Sequence, residues 1–359
     1  MLKIYSKFKT AMQRIRNLRE IAYINQEYLK EGDYTFAFES KKDFILNKND
    51  KNMEFINNMK RNVNQRPKIR KTVFFSLVNF IFRIKISQAS GARFEGDLLM
   101  KTRNGDVKIF NFEESLVLTL IQDKKKYKML KDNYNFFHQY YNIPIVKMND
   151  GKQYFIEKLI NFRPYRYWSS GENDLAVKSV YEGISKQSKD MDKEEANYMS
   201  TGFLMEQLLD RLKDEAIIEA IGLIIPAEKY KDQWPIIRCH GDLNFNNILI
   251  DERDIFFIDW DDVMDCSFIY DFMNCIFVDA MYGDSYYFLD KYMKGGYDEY
   301  LVNLFNIWSL TFNPEHRGYY LCVYIAERVL NFELVQNLDK LDLHLGKYKK
   351  VLSDFIFCH

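Results

Sequence analysis

Hydrophobic positions recur at three- and four-residue steps near the start of the chain. In MLKIYSKFKTAMQRIRNLRE, Ile4, Phe8, Met12, Ile15 and Leu18 fall on one side, while Lys3, Lys7, Lys9, Arg14, Arg16 and Arg19 fill much of the rest. That period predicts an amphipathic helix, and residues 1–70 read as helical and basic. From about Gly91 to Gln122 the period shortens to that of strands. Asn104-Gly105 separates two β-prone runs as a hairpin turn, because both residues tolerate positive φ. Glu113-Glu114 reads as a second turn, so antiparallel strands are expected over 93–103, 106–112 and 115–121. A helix over 123–141 follows, stopped by Pro144, then a strand pair over 144–148 and 153–159 around Asn149-Asp150-Gly151. Beyond Pro164 the pattern predicts helices over 173–188 and 196–223. Three short apolar runs come next (IIRC, NILI and IFFID), the last two joined by a turn at 251–254, and 268–359 is mainly helical. Strands first and helices afterwards predict an α+β protein of two lobes. The expected division is a helical basic N-terminal extension over 1–85, an antiparallel-sheet N-lobe over 86–162 and a mainly helical C-lobe over 163–359.

Composition narrows the class. Apolar residues at 47% suffice for a core, and the 51 basic and 51 acidic side chains leave no net charge to favour nucleic acid. Cys239, Cys266, Cys275, Cys322 and Cys358 show neither zinc spacing nor a disulfide framework, which fits a reducing cytoplasm. The first thirty residues carry bases throughout and lack the apolar core of a signal peptide. The run over 72–84 (TVFFSLVNFIFRI) is too short to span a bilayer and contains Asn79. Two readings of the N-terminal helix stand open: it packs on its own protein, or it lies on an anionic membrane surface at the inner face of the membrane.

The chemistry is concentrated in IIRCHGDLNFNNILIDERDIFFIDWDD. An apolar strand delivers the chain to His240-Gly241-Asp242, and Asn247 follows five residues after Asp242. The hairpin then returns the chain to Asp259, with Trp260 and Asp261 behind it. Asp242, Asn247 and Asp259 can meet at one point, and two carboxylates with an amide oxygen suit Mg²⁺. Phosphoryl transfer needs a carboxylate to orient the attacking hydroxyl, a cation to neutralise the phosphates and in-line positioning. The protein-kinase catalytic loop has Asp and Asn at this same spacing.

HGDLNFNN with IDWDD resembles the aminoglycoside phosphotransferase/choline kinase superfamily, whose loop reads H-G-D-x-x-x-x-N and whose metal strand reads I-D-[WF]-[DE]. The resemblance implies a two-lobe protein-kinase-like fold that uses ATP and Mg²⁺. It implies Asp242 as catalytic base, His240 as a residue shaping the loop, and Asn247 and Asp259 as metal ligands, with Asp261 matching the second acid of the strand. Tyr270-Asp271-Phe272 resembles the Y-D-[LF] that follows in the superfamily as a structural element. The lysine usual on the third strand is absent, since Thr119 in LVLTLIQ stands there, and the helix after it has no Glu to pair with one. Lys108 on VKIFNF is the candidate replacement and Lys101 a weaker one. Gly91 and Gly96 bracket a candidate phosphate loop. Glu157-Lys158-Leu159 falls where the interlobe hinge is expected, offering the backbone of Glu157 and Leu159 to adenine. Asp262, Asp265 and Glu315 are the acids to consider for a cationic acceptor.

The expected activity is ATP-dependent transfer of a γ-phosphoryl group to a hydroxyl of a small molecule or glycan. A sugar is preferred, from the basic N-terminus, the 16% aromatic content and a resemblance to kinase-like proteins of surface-polysaccharide pathways. The alternatives are an aminoglycoside or choline-type kinase, and a kinase-like scaffold module in surface-glycan assembly. Oligomeric state is left open.

Overall fold

The computed structural model describes residues 2–39, 42–47, 84–87, 94–102, 104–212, 215–252, 254–282, 285–335, 346–348 and 350–351. The chain divides into two compact units, residues 1–136 with 143–164, and residues 137–142 with 165–359. The run over 72–83 and Gly91 lie outside the described residues.

The first unit is a sheet with α1 (Leu2–Ile24) against one face. Its strands are β1 (Gly32–Glu39), β2 (Lys42–Asn47), β3 (Ile84–Ile86), β4 (Leu98–Lys101), β5 (Val107–Asn111), β6 (Leu116–Leu120), β7 (Ile145–Asn149) and β8 (Tyr154–Lys158). They lie in the order β3-β1-β2-β4-β5-β6-β8-β7, and every pairing is antiparallel. Residues 32–47, which the sequence reading makes helical, are strands. Their side chains alternate between two apolar layers: Tyr34, Phe36 and Ile45 on one face, Phe44 and Leu46 on the other. A period of two over such short runs is hidden beside the basic helical pattern that precedes it. Ile15, Leu18 and Ala22 of α1 are buried in the first layer with Tyr34, Leu99 and Ile109. Burying Ile15 and Leu18 stabilises by roughly 1.5–3 kcal/mol each, so the middle of the amphipathic helix is held by its own protein. Gly105 turns the β4–β5 hairpin at φ 91°, as its Asn-Gly pair predicts. Gly96 serves packing, because a Cβ there would lie 2.2 Å from Ile109 Cγ2.

Helix α2 (Lys124–Phe137) leads from the first unit into the second. The second unit continues with α3 (Ser170–Asp190), entered through a capping box in which Ser169 and Glu172 satisfy each other's backbone N–H. The single helix expected over 196–223 is instead β9 (Tyr198–Ser200), α4 (Thr201–Arg211) and α5 (Glu215–Ile224). Ser200 breaks it, pairing with Gln233 in a sheet and capping α4 through Phe203 N–H. Strand β10 (Gln233–Cys239) lies between β9 and β13 (Met264–Ser267), and β11 (Ile248–Asp251) pairs with β12 (Asp254–Phe257). Among the described residues, helices α6 (Tyr270–Tyr282), α7 (Tyr287–Met293), α8 (Asp298–Ile307) and α9 (Arg317–Val335) follow. The α+β organisation expected from the sequence is present, an antiparallel sheet in one unit and mainly helices in the other. No described helix is long and apolar enough to cross a membrane.

Candidate active site

Strand β10 ends at Cys239 and the chain turns sharply at Gly241, where φ is 82° and a Cβ would lie 1.9 Å from the Asp262 carbonyl oxygen. Only glycine fits this approach. The turn is held from α6: the N–H groups of His240 and Gly241 donate to the two oxygens of Asp271, at 2.6 and 3.1 Å. Burial pushes the Asp271 carboxyl up, against the pull of His240 and these two N–H donors. The His240 ring is wholly buried. It lies against Trp260, ring centroids 4.4 Å apart, with Nε2 3.0 Å from the Ile258 carbonyl oxygen. Trp260 in turn stacks on Phe137 at 4.3 Å. His240 thus joins the loop to the returning hairpin.

The loop closes on itself. Asn244 and Asn247 both donate side-chain N–H groups to the Asp242 carbonyl, at 2.9 and 2.8 Å. This use of the Asn247 Nδ2 leaves its Oδ1 as the atom that could meet a cation. Ile258 N donates to the Asn247 carbonyl at 3.0 Å, tying β12 to the loop just before Asp259. Asp259 itself is left-handed, φ 69° and ψ 57°, and starts a 3-10 turn over Trp260–Asp262. The Asp262 carboxyl is pushed up, first by desolvation and then by Asp242, Asp259 and Asp261. Three carboxylates of this loop therefore act on Asp262, an arrangement a cation could relieve. Among the described residues no three His, Cys, Asp or Glu side chains surround one metal position, so an ion here would need the amide of Asn247 beside Asp259 or Asp261. Asp265 pairs across the sheet with Arg238 and Glu315 lies in a short 3-10 turn; of the three acids considered for an acceptor, Asp262 is the one in the field of the loop.

A residue that the sequence motifs do not single out also reaches the loop. Arg328 of α9 donates from Nη1 to the Gly241 carbonyl (3.1 Å) and Tyr270 Oη (3.3 Å), and from Nη2 to Asp242 Oδ1 (3.4 Å).

In the first unit, register places the two candidate lysines on opposite faces. Directly paired residues share a face. Lys108 pairs with Thr119 and Met100, on the face away from α1, whereas Lys101 pairs with Val107 in the layer under α1. Lys108 thus lies across from the position where the superfamily carries its lysine, and Lys101 is turned away. Thr119 Oγ1 donates to the buried Glu157 carboxylate at 3.0 Å. The N–H groups of Lys158 and Leu159 donate to the carbonyls of Pro144 and Ser115, 2.7 Å each. The Leu159 amide offered to adenine by the sequence reading is therefore already engaged, by the residue that leads into β6.

Residues 189–298 match the model of the phosphotransferase enzyme family. No curated protein matches the sequence. Among solved structures, aminoglycoside phosphotransferase APH(4)-Ia is similar at 15% identity over 69% of this chain and 89% of that one, with a TM-score of 0.43. A choline/ethanolamine kinase family protein from Mesorhizobium loti is similar at 11% identity over 69% and 84%, TM-score 0.38. Aminoglycoside phosphotransferase APH(3'')-Id from Streptomyces rimosus is similar at 12% identity over 63% and 90%, TM-score 0.37. The match over residues 189–298 takes in both motifs and the loop they build, and the resemblance to the aminoglycoside phosphotransferase/choline kinase superfamily holds there.

Proposed function

We propose that this protein transfers the γ-phosphoryl group of ATP to a hydroxyl group, with a sugar as the acceptor class. One observation carries the reading: the loop from His240 to Asn247 folds back on the Asp242 carbonyl while β12 returns Asp259, gathering base and cation donors at one loop. Asp242 accepts the proton of the attacking hydroxyl as its oxygen bonds to phosphorus. Asn247, Asp259 and Asp261 would hold Mg²⁺, which when bound neutralises charge on the β- and γ-phosphates. His240 shapes the loop from beneath. Lys108 supplies the phosphate-binding charge that Thr119 cannot. The sugar preference rests on the basic N-terminus, the aromatic content and the resemblance to kinase-like proteins of surface-polysaccharide pathways.

Thr119 favours a second reading, a kinase-like scaffold that binds nucleotide weakly. Calorimetry with Mg·ATP, followed by ATP consumption over a panel of sugars, amino sugars and amino alcohols, separates the two. Wild type should bind and consume ATP, and Asp242→Ala should fold yet lose at least about a thousandfold in turnover. A wild type that binds no nucleotide at millimolar Mg·ATP would establish the scaffold.

A further inference from the structure

The segment 319–330 of α9, YYLCVYIAERVL, buries two adjacent ionisable side chains, Glu327 and Arg328, 4% and 6% exposed. Removing a charge from water costs several kcal/mol unless geometry compensates, so such a pair calls for a use. Glu327 accepts from both the N–H and the hydroxyl of Ser267 on β13. Arg328 turns to the catalytic loop. Its flat guanidinium holds the Gly241 carbonyl with one nitrogen and Asp242 Oδ1 with the other, a two-point grip of fixed geometry that an ammonium cannot reproduce. Tyr270 supports the grip, its hydroxyl lying 3.5 Å from the same carbonyl. Asp271 meanwhile holds the N–H groups of His240 and Gly241. The turn before the base is therefore fixed through its N–H groups by α6 and through its carbonyl by α9.

We propose that Arg328 is a positioning residue for phosphoryl transfer, orienting Asp242 so that Oδ2 receives the acceptor's proton. The inference rests on the phosphotransferase reading. With Oδ1 turned to Arg328, the proton of the hydroxyl passes to Oδ2. The new oxygen–phosphorus bond forms as the bond between the γ-phosphorus and its bridging oxygen breaks, and ADP leaves. Misplacing a reacting group by about 1 Å can lower a rate by about a hundredfold, while nucleotide affinity depends on other groups.

The test uses the full chain, Mg·ATP and basal hydrolysis with water as acceptor. Arg328→Met should lower kcat by about a hundredfold with KM for Mg·ATP within about threefold of wild type. Arg328→Lys, which keeps a cation but loses the fork, should fall about tenfold in kcat. Added to Asp242→Ala, Arg328→Met should cost nothing more, since both act through one group. If melting shows Arg328→Met unfolded, Arg328→Lys decides. A kcat within about threefold of wild type in the deciding variant overturns the proposal, as does a full additional loss in the Asp242→Ala background. A wild type that neither binds nor hydrolyses Mg·ATP overturns this proposal together with the phosphotransferase reading. It is told apart from failure of Arg328 alone, in which wild type turns over ATP.

Discussion

Asp259 has a backbone that disfavours most side chains, at φ 69° and ψ 57°. A left-handed non-glycine residue costs roughly 1–2 kcal/mol, least for Asn and Asp, whose short polar side chains hydrogen-bond locally. Structure and chemistry can therefore be separated at this position. Asp259→Asn should keep the melting temperature within about 2 °C, since Asn tolerates the same backbone. It removes the carboxylate charge, so ATP turnover should drop by about a hundredfold or more. Turnover within tenfold of wild type would remove Asp259 from the cation site. The spacing of Asp242, Asn247 and Asp259 was legible in the sequence because one loop and one short hairpin join them. Gly241 was legible too, as the glycine of H-G-D. Arg328 was not: it stands 86 residues beyond Asp242, and no local spacing connects an arginine on α9 to a loop after β10. The one sign of it was an adjacent pair of charges inside an apolar run.

At the level of elements, strand parity is what the sequence could not supply. Lys101 and Lys108 both lie on β-prone runs flanking Asn104-Gly105, and their faces follow only from register. Register is set by the apolar layers, α1 covering Leu99, Val107 and Ile109 on one side and Leu98, Met100 and Phe110 lying on the other. A slip of one residue would exchange the two lysines. Isothermal titration with Mg·ATP should accordingly show Lys108→Ala weaker by about tenfold, a loss of about 1.4 kcal/mol, and Lys101→Ala within about twofold of wild type. The reverse order would mean that phosphate is met on the α1 face, against the pairing of Lys108 with Thr119. The same layers explain why β1 and β2 were missed. Their apolar residues divide between two faces, so neither face reads as a stripe in sequence, whereas α1 places Ile15, Leu18 and Ala22 in a single row.

For the molecule as a whole, 51 acids balance 51 bases, so net charge does not decide how stability follows pH. Burial does, and it differs between the units. In the second, burial raises the carboxyls of Asp271 and Asp279, and takes Glu327 from 4.5 to about 7. In the first, Asp123 and Asp150 are lowered, Asp123 by the N–H groups of Lys126 and Lys125 and Asp150 by Lys131 and Tyr127. A raised carboxyl keeps its proton in the folded state after the unfolded chain has released it. Its stabilisation is complete below the unfolded value of 4.5 and is lost as pH rises. For Glu327 the loss runs through the window up to about 7 and is on the order of 3 kcal/mol. Lowered carboxyls act oppositely, stabilising above 3.8 and failing as pH falls through their folded values, and these two are exposed and contribute little. All four tryptophans, Trp168, Trp234, Trp260 and Trp308, belong to the second unit, so their fluorescence reports its unfolding alone. Melts followed by tryptophan emission should shift to lower temperature as pH rises from 5 to 7.5. Glu327→Gln keeps an acceptor for Ser267 N–H but does not titrate, so its melts should vary less with pH. A wild-type curve that rises over this range, or a Glu327→Gln curve as steep as wild type, would show that Glu327 is ionised in the fold and that Ser267 outweighs its burial.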